Sequence, residues 1–118
     1  MLSITPARLT SIHTRTRRNA WTDWVARVGW KAGALPGREF EHFYFVLEAA
    51  ISGLGIAIAP WQLVIDDVAA GRLVAPFGFV PSGQAYVVLR RRRRNKKAEA
   101  FVRWLVEEAA TLPAPEIR

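Results

Sequence analysis

The chain has no cysteine, a single methionine and only two histidines. The absence of cysteine excludes a disulfide-stabilised scaffold and thiol chemistry. His13 and His42 are separated by 28 intervening residues and have no recognisable ligand spacing, so they do not indicate a zinc site. We therefore expect neither a metal nor a cofactor.

Long apolar runs are also missing. No run reaches the roughly 18 residues that a membrane-spanning helix requires. The first residues lack the order of a charged segment followed by an apolar one that marks a signal peptide. These absences predict a cytoplasmic protein with no membrane partner.

The common catalytic motifs are absent as well. The chain has no P-loop and no nucleophile elbow, and Ser52 and Ser82 have no triad context. Gly53 and Gly55 form a Gly-x-Gly pair, but the pair precedes a predicted strand, whereas a dinucleotide fingerprint follows one. We do not expect an enzyme.

What the chain does contain suits one globular domain. Its 118 residues are 51% hydrophobic and 23% charged, a composition that can bury a core. The net charge of +7 is uneven along the chain: residues 1–38 carry +6, residues 39–89 carry −4 and residues 90–118 carry +5. Two basic regions therefore flank an acidic, apolar middle.

Apolar periodicity predicts alternating strands and helices. The predicted strands are 8–14, 39–43, 56–59, 73–77 and 85–89; the predicted helices begin near Asn19, Tyr44, Pro60 and Ala98, and 31–38 is a loop. Strands that alternate with helices are typical of an α/β domain with a mostly parallel sheet.

Helical spacing also predicts which side chains face the core. The four inner stripes are expected to be Trp21, Trp24, Val25 and Val28; Leu47, Ala50, Ile51 and Leu54; Trp61, Val64, Ile65 and Val68; and Ala98, Phe101, Val102, Leu105, Val106 and Ala109.

Four passages together resemble the effector-binding domain of LysR-type transcriptional regulators, in the branch of the glycine-cleavage activator. Leu47 to Pro60 is similar to the family's helix–glycine–strand–proline passage, and Asp66 to Phe77 is similar to the segment that follows it. Thr14 to Trp24 resembles an upstream passage with two tryptophans, and Ala100 to Leu105 resembles the closing helix. The four passages occur in the family's order.

The resemblance implies a type II periplasmic-binding-protein-like α/β fold, in which two subdomains enclose a cleft for a small effector. Residues of about 12–77 would form the second subdomain, and about 78–118 would form the C-terminal part of the first. The helix-turn-helix would be missing, so DNA would be bound only through an absent N-terminal domain. We also expect an effector that carries a carboxylate. A homodimer is expected as well, through the helix of Trp21 and Trp24 or the strand near Phe40, because an incomplete domain must cover its exposed apolar surface.

Ligand-binding candidates follow from the same comparison. The helix near Tyr44 would direct its N-terminus at the cleft, which favours an anion. His42, Phe43 and Tyr44 lie at that strand-to-helix turn, and His13 and Thr14 end the first strand. The alternative is that Phe43 belongs to the core, that His42 is a solvated turn residue, and that His13 and Thr14 are an ordinary strand end before a basic loop.

Seven of the eight residues from 90 to 97 are basic. These residues are Arg90, Arg91, Arg92, Arg93, Arg94, Lys96 and Lys97. The run indicates either a solvated surface loop or a non-specific phosphate contact, and the latter would make the chain a small basic nucleic-acid-binding protein. A truncated remnant without function is a third possibility.

Overall fold

The computed structural model describes residues 10–30 and 37–116. In this part of the chain, three strands form a parallel sheet in the order β2-β1-β3. The strands are β1 (Ser11–Thr14), β2 (Gly37–Phe40) and β3 (Ile56–Ala57). The helices are α1 (Ala20–Val28), α2 (Phe43–Ile51), α3 (Trp61–Ala69) and α4 (Lys96–Ala110), with a 3-10 turn at Arg15–Arg17. The predicted α/β class is confirmed.

The core surrounds the central strand. Ile12 of β1 is buried together with Val46 and Ala49 of α2, and partly buried Phe40, Ala50 and Ala57 pack against them. The predicted inner face of α2 was therefore wrong in part: Ala50 packs on the core as predicted, but Val46 is the fully buried residue, and Leu54 lies beyond the helix and is exposed. Almost every residue of α2 is apolar, so two different stripes satisfy the helical spacing, and packing on β1 selects one of them.

Helix α1 follows the sequence prediction. It ends at Gly29, whose left-handed backbone (φ 69°) allows its N–H to donate to the Val25 carbonyl oxygen. The Trp21 Nε1–H donates to the carbonyl oxygen of Ile12 over 3.0 Å. This bond joins α1 to the middle of the sheet.

Strand β2 lies two residues earlier than predicted. It begins at Gly37 and ends at Phe40, and the predicted strand residue Phe43 is instead the first residue of α2. A Cβ at position 37 would lie 3.1 Å from His13 Nε2, so glycine permits the close approach of β2 to β1. The predicted loop therefore ends before Gly37.

Strand β3 starts directly after Gly55 and is shorter than predicted. The Ile56 N–H donates to the Thr10 carbonyl oxygen over 2.9 Å. Helix α3 then begins after Pro60, as predicted, and its Val64 is buried.

Two predicted strands are not found in the described part of the chain. Residues 73–77 form a bend and a turn, and residues 85–89 have no regular structure and pair with no other described strand. Leu89 is 89% exposed, and Phe77 packs on the rings of Trp24 and Trp30. A strand pattern becomes a strand only where a neighbour accepts its backbone hydrogen bonds.

Helix α4 forms as predicted but does not bury its apolar stripe. The Asn95 Oδ1 accepts from the Lys97 and Ala98 N–H groups and fixes the start of the helix. None of its residues is buried, and Phe101 and Trp104 are 58% and 53% exposed. No helix among the described residues is long and apolar enough to cross a membrane.

Contacts at both ends attach α4 to the rest of the molecule. After the helix, the Pro113 carbonyl oxygen accepts from Trp61 Nε1–H over 2.7 Å, and the Glu116 carbonyl oxygen accepts from Phe79 N–H over 2.9 Å. Before the helix, residues 80–86 return along α1. The helix therefore projects from the body while its two flanks are held.

Candidate functional site

A cleft of about 590 Å³ lies at the carboxyl end of the parallel sheet. Its floor is formed by residues 16–20, which follow β1, and by residues 58–62, which follow β3; residues 80–86 form the opposite wall. Parallel α/β sheets bind ligands beyond the carboxyl ends of their strands. The preferred place is the point where the order of the strands in the sheet reverses direction. The central strand β1 has this position.

Three helices begin at this cleft. Ala20, Phe43 and Trp61 are the first residues of α1, α2 and α3, and all three line it. The first N–H groups of a helix have no intrahelical partner, and the helix dipole makes this end positive. The cleft is therefore electrostatically suited to an anionic group.

Three arginines and one carboxylate also line the cleft, namely Arg17, Arg18, Arg27 and Asp23. The Arg27 Nη2–H donates to the Ser82 carbonyl oxygen over 2.8 Å, and Arg17 donates to the side-chain oxygen of Gln84. These two arginines hold residues 80–86 against α1.

Arg18 has a different environment. Its guanidinium makes no hydrogen bond or ion pair with any residue that the structure describes. It also lines a second, smaller cleft of about 350 Å³, together with Arg38 and Glu39. Arg18 is thus the cation at this site that can bind an external carboxylate.

Aromatic side chains supply the apolar part of the lining. Trp24, Phe43, Trp61 and Tyr86 all face the cleft. Trp24 packs edge-on against Phe77 at 5.7 Å, and Trp61 packs edge-on against Phe79 at 4.9 Å. Their positions are fixed by neighbouring rings, so the walls suit a ligand with a small apolar body.

Of the five ligand-binding candidates named from the sequence, Phe43 lines the larger cleft. His42 and Tyr44 are exposed outside it, and Tyr44 is 69% exposed. His13 lines the smaller cleft. Thr14 is buried, and its hydroxyl lies 2.9 Å from that of Thr16. Their roles in binding remain predictions.

The arginines of the cleft were missed from the sequence. A signal existed, because Arg15, Arg17 and Arg18 follow directly after β1, and the carboxyl end of a central parallel strand is where ligands bind. The sequence cannot show that Arg17 bonds to Gln84, 67 positions away, while Arg18 has no partner among the described residues.

Comparison with known proteins identifies the family. The family model described as "LysR substrate binding domain" matches residues 4–110. The HTH-type transcriptional regulator TrpI of Pseudomonas aeruginosa is 46% identical over 101 residues, which are 84% of this chain and 34% of that protein. The glycine cleavage system transcriptional activator of Escherichia coli is 32% identical over 108 residues, which are 88% of this chain and 35% of that protein.

A third relative is the HTH-type transcriptional activator AmpR of Enterobacter cloacae, which is 34% identical over 96 residues. That alignment covers 78% of this chain and 33% of the relative. The chain thus spans about a third of the length of the curated relatives it matches. No solved structure matches it significantly. The family match and these identities show that the chain belongs to the LysR family of transcriptional regulators, within their substrate-binding domain.

Proposed function

We propose that this chain is an effector-sensing part of a LysR-type regulator and that it binds a small, carboxylate-bearing metabolite in the larger cleft. The observation that carries the proposal is the unpaired Arg18 guanidinium beside the starts of three helices. In this proposal sequence-specific DNA binding resides outside these 118 residues.

Binding would use the charged and apolar parts of the cleft separately. The ligand carboxylate accepts hydrogen bonds from Arg18 and from free N–H groups at a helix start. Its apolar body packs between Trp24 and Trp61, which the neighbouring rings hold in place. Relatives named as regulators, not enzymes, agree with a site that binds without chemistry.

Signalling would act through residues 80–86. Arg17 and Arg27 tie this segment to α1 on one side of the cleft, and the segment continues towards α4. A ligand that contacts both Arg18 and Tyr86 favours the arrangement in which this wall is closed, which shifts the population of the domain. In this proposal residues of about 12–77 form one subdomain and residues of about 78–118 belong to the other.

A homodimer is also part of the proposal. The sequence suggested the helix of Trp21 and Trp24 as a contact surface, but those rings pack on their own chain. The exposed Phe101 and Trp104 of α4 are better candidates, because apolar side chains left open to water favour association.

The test is a thermal-shift and tryptophan-fluorescence titration against amino acids and small organic acids. A ligand at a hundred times its dissociation constant adds about 2.7 kcal/mol to the free energy of unfolding. We expect a raised melting temperature and a changed emission from Trp24 and Trp61. Both effects should disappear in Arg18→Gln.

Arg38→Gln is the matched control, since Arg38 is exposed, lies outside the larger cleft and carries the same charge. His42→Ala tests the site named from the sequence. A shift that survives Arg18→Gln but is lost in His42→Ala would move the site to the start of α2. A chain that melts cooperatively and responds to no ligand would contradict the proposal and favour a remnant.

A further inference from the structure

The basic run, defined as Arg90 to Arg94 with Lys96 and Lys97, is not used by the effector cleft. All seven side chains are exposed in the structure. Within the described chain, the one ion pair in the run joins Arg94 to Glu99 at 3.8 Å, and that arginine side chain is 83% exposed. An exposed pair at this distance neutralises little. Among the described residues, ion pairing therefore leaves most of the positive charge of the run uncompensated.

The backbone of the run is irregular and leaves all of its side chains open to solvent. Residues 90–94 belong to no helix and no strand, residues 92 and 93 form a bend, and Lys96 and Lys97 form the first turn of α4. Five residues span at most about 17 Å when fully extended. Duplex DNA carries one phosphate per roughly 3.4 Å along each strand, so the run can reach up to about five phosphates of one strand. The positive end of the α4 dipole adds to the same potential.

The surroundings favour duplex DNA over other polyanions. No aromatic residue interrupts the run, so it lacks the stacking surface that binders of single strands use. In α4, three basic residues are balanced by Glu99, Glu107 and Glu108, so the helix lacks the cationic polar face of a membrane-surface helix. The relatives of this chain carry the names of transcriptional regulators, which act on DNA.

We propose that the basic run binds the phosphate backbone of duplex DNA without sequence preference. This contact would add affinity beside the specific contacts of the regulator and would not depend on the effector. Because the exposed residues of the run do not line the larger cleft, the run can contact the duplex without occupying that cleft.

The test is fluorescence anisotropy of a labelled 20-base-pair duplex of arbitrary sequence, titrated with the full chain between 50 and 200 mM salt. Five neutralised phosphates give a slope of about −4.5 in log affinity against log salt, which is a loss of roughly 500-fold over this range. The triple variant Arg91→Gln, Arg92→Gln, Arg93→Gln should make the slope shallower by about 2.7.

The control is the triple variant Arg15→Gln, Arg38→Gln, Arg103→Gln, which removes the same charge from exposed positions outside the run. We expect it to keep the wild-type slope. Equal losses in both variants would mean that net charge alone attracts DNA, and this would overturn the proposal. No binding at 50 mM salt would overturn it as well.

A parallel titration with phosphatidylserine vesicles tests the alternative that the basic run binds an anionic membrane. If the chain binds vesicles but not the duplex, and the triple variant in the run loses the vesicles, the partner is an anionic membrane and the proposal is wrong. The effector thermal shift should be unchanged in the same variant. Failure of the DNA contact is therefore distinguishable from failure of the effector site.

Discussion

Two glycines show how a single missing side chain determines this fold. A Cβ at position 55 would lie 2.1 Å from the carbonyl oxygen of Thr10, which is a backbone atom that cannot move aside. At Gly29 a Cβ would meet no atom within 4 Å, but the backbone is left-handed, with φ at 69°. Position 55 thus requires glycine for space, and position 29 for backbone conformation.

This difference gives a prediction at the residue scale. Gly29→Ala should cost about 1–2 kcal/mol, the penalty of a left-handed backbone for a residue with a Cβ. Gly55→Ala should cost more than about 3 kcal/mol, because β3 must move away from Thr10 and loses its pairing with β1. Urea unfolding of both variants measures this. Equal losses would show that β3 does not lie as close to Thr10 as the structure has it.

Residue-scale predictions from the sequence succeeded where the cause was local. Pro60 precedes α3 as expected, because its missing N–H affects only the residues next to it. The cleft arginines could not be ranked in the same way. Whether Arg18 is paired depends on residues 80–86, which are distant in sequence.

At the scale of elements, α2 gives the clearest test. Val46 is fully buried against β1, whereas its neighbour Leu47 is half-buried. Val46→Ala should cost about 2 kcal/mol, from two methyl groups and the cavity that they leave. Leu47→Ala should cost about 1 kcal/mol or less, although it removes a larger side chain.

Chemical denaturation of the two variants, with the circular dichroism of each checked against the unsubstituted chain, gives the comparison. A larger loss of unfolding free energy for Leu47→Ala would mean that α2 packs on β1 with the stripe expected from the sequence. The helix would then be rotated about its axis by one residue relative to the structure. The sequence predicted the helix itself because its length and apolar content are local properties. The rotation of the helix depends on the strand beneath it.

The strands show the same limit. The pattern of 56–59 became a strand because β1 lies beside it, while 73–77 and 85–89 have comparable patterns and no partner in the described sheet. Alternating apolar residues and β-branched residues favour an extended backbone. Pairing is a property of two segments, so one segment alone cannot establish it.

The whole molecule is longer than a compact domain of its size. Its radius of gyration is 17.1 Å, with extents of 55 × 27 × 25 Å. A compact chain of 118 residues would have a radius of about 13.5 Å. The difference agrees with the burial pattern, since α4 buries none of its residues while the buried hydrophobic side chains lie between Ile12 and Val64.

Small-angle X-ray scattering, measured on the dilute trailing edge of a size-exclusion peak, tests this shape. We expect a radius of gyration near 17 Å for the monomer, because no described residue of α4 is buried. Hydrogen bonds of Pro113 and Glu116 hold the chain after the helix, and those of Ser82 and Gln84 hold the chain before it. A radius near 13.5 Å would mean that α4 folds back and buries Phe101 and Trp104. An unfolded chain, at about 35 Å in urea, provides the upper reference. If α4 folded back, the apolar face proposed for the homodimer would be covered, so the same measurement decides whether that face is open to a second copy.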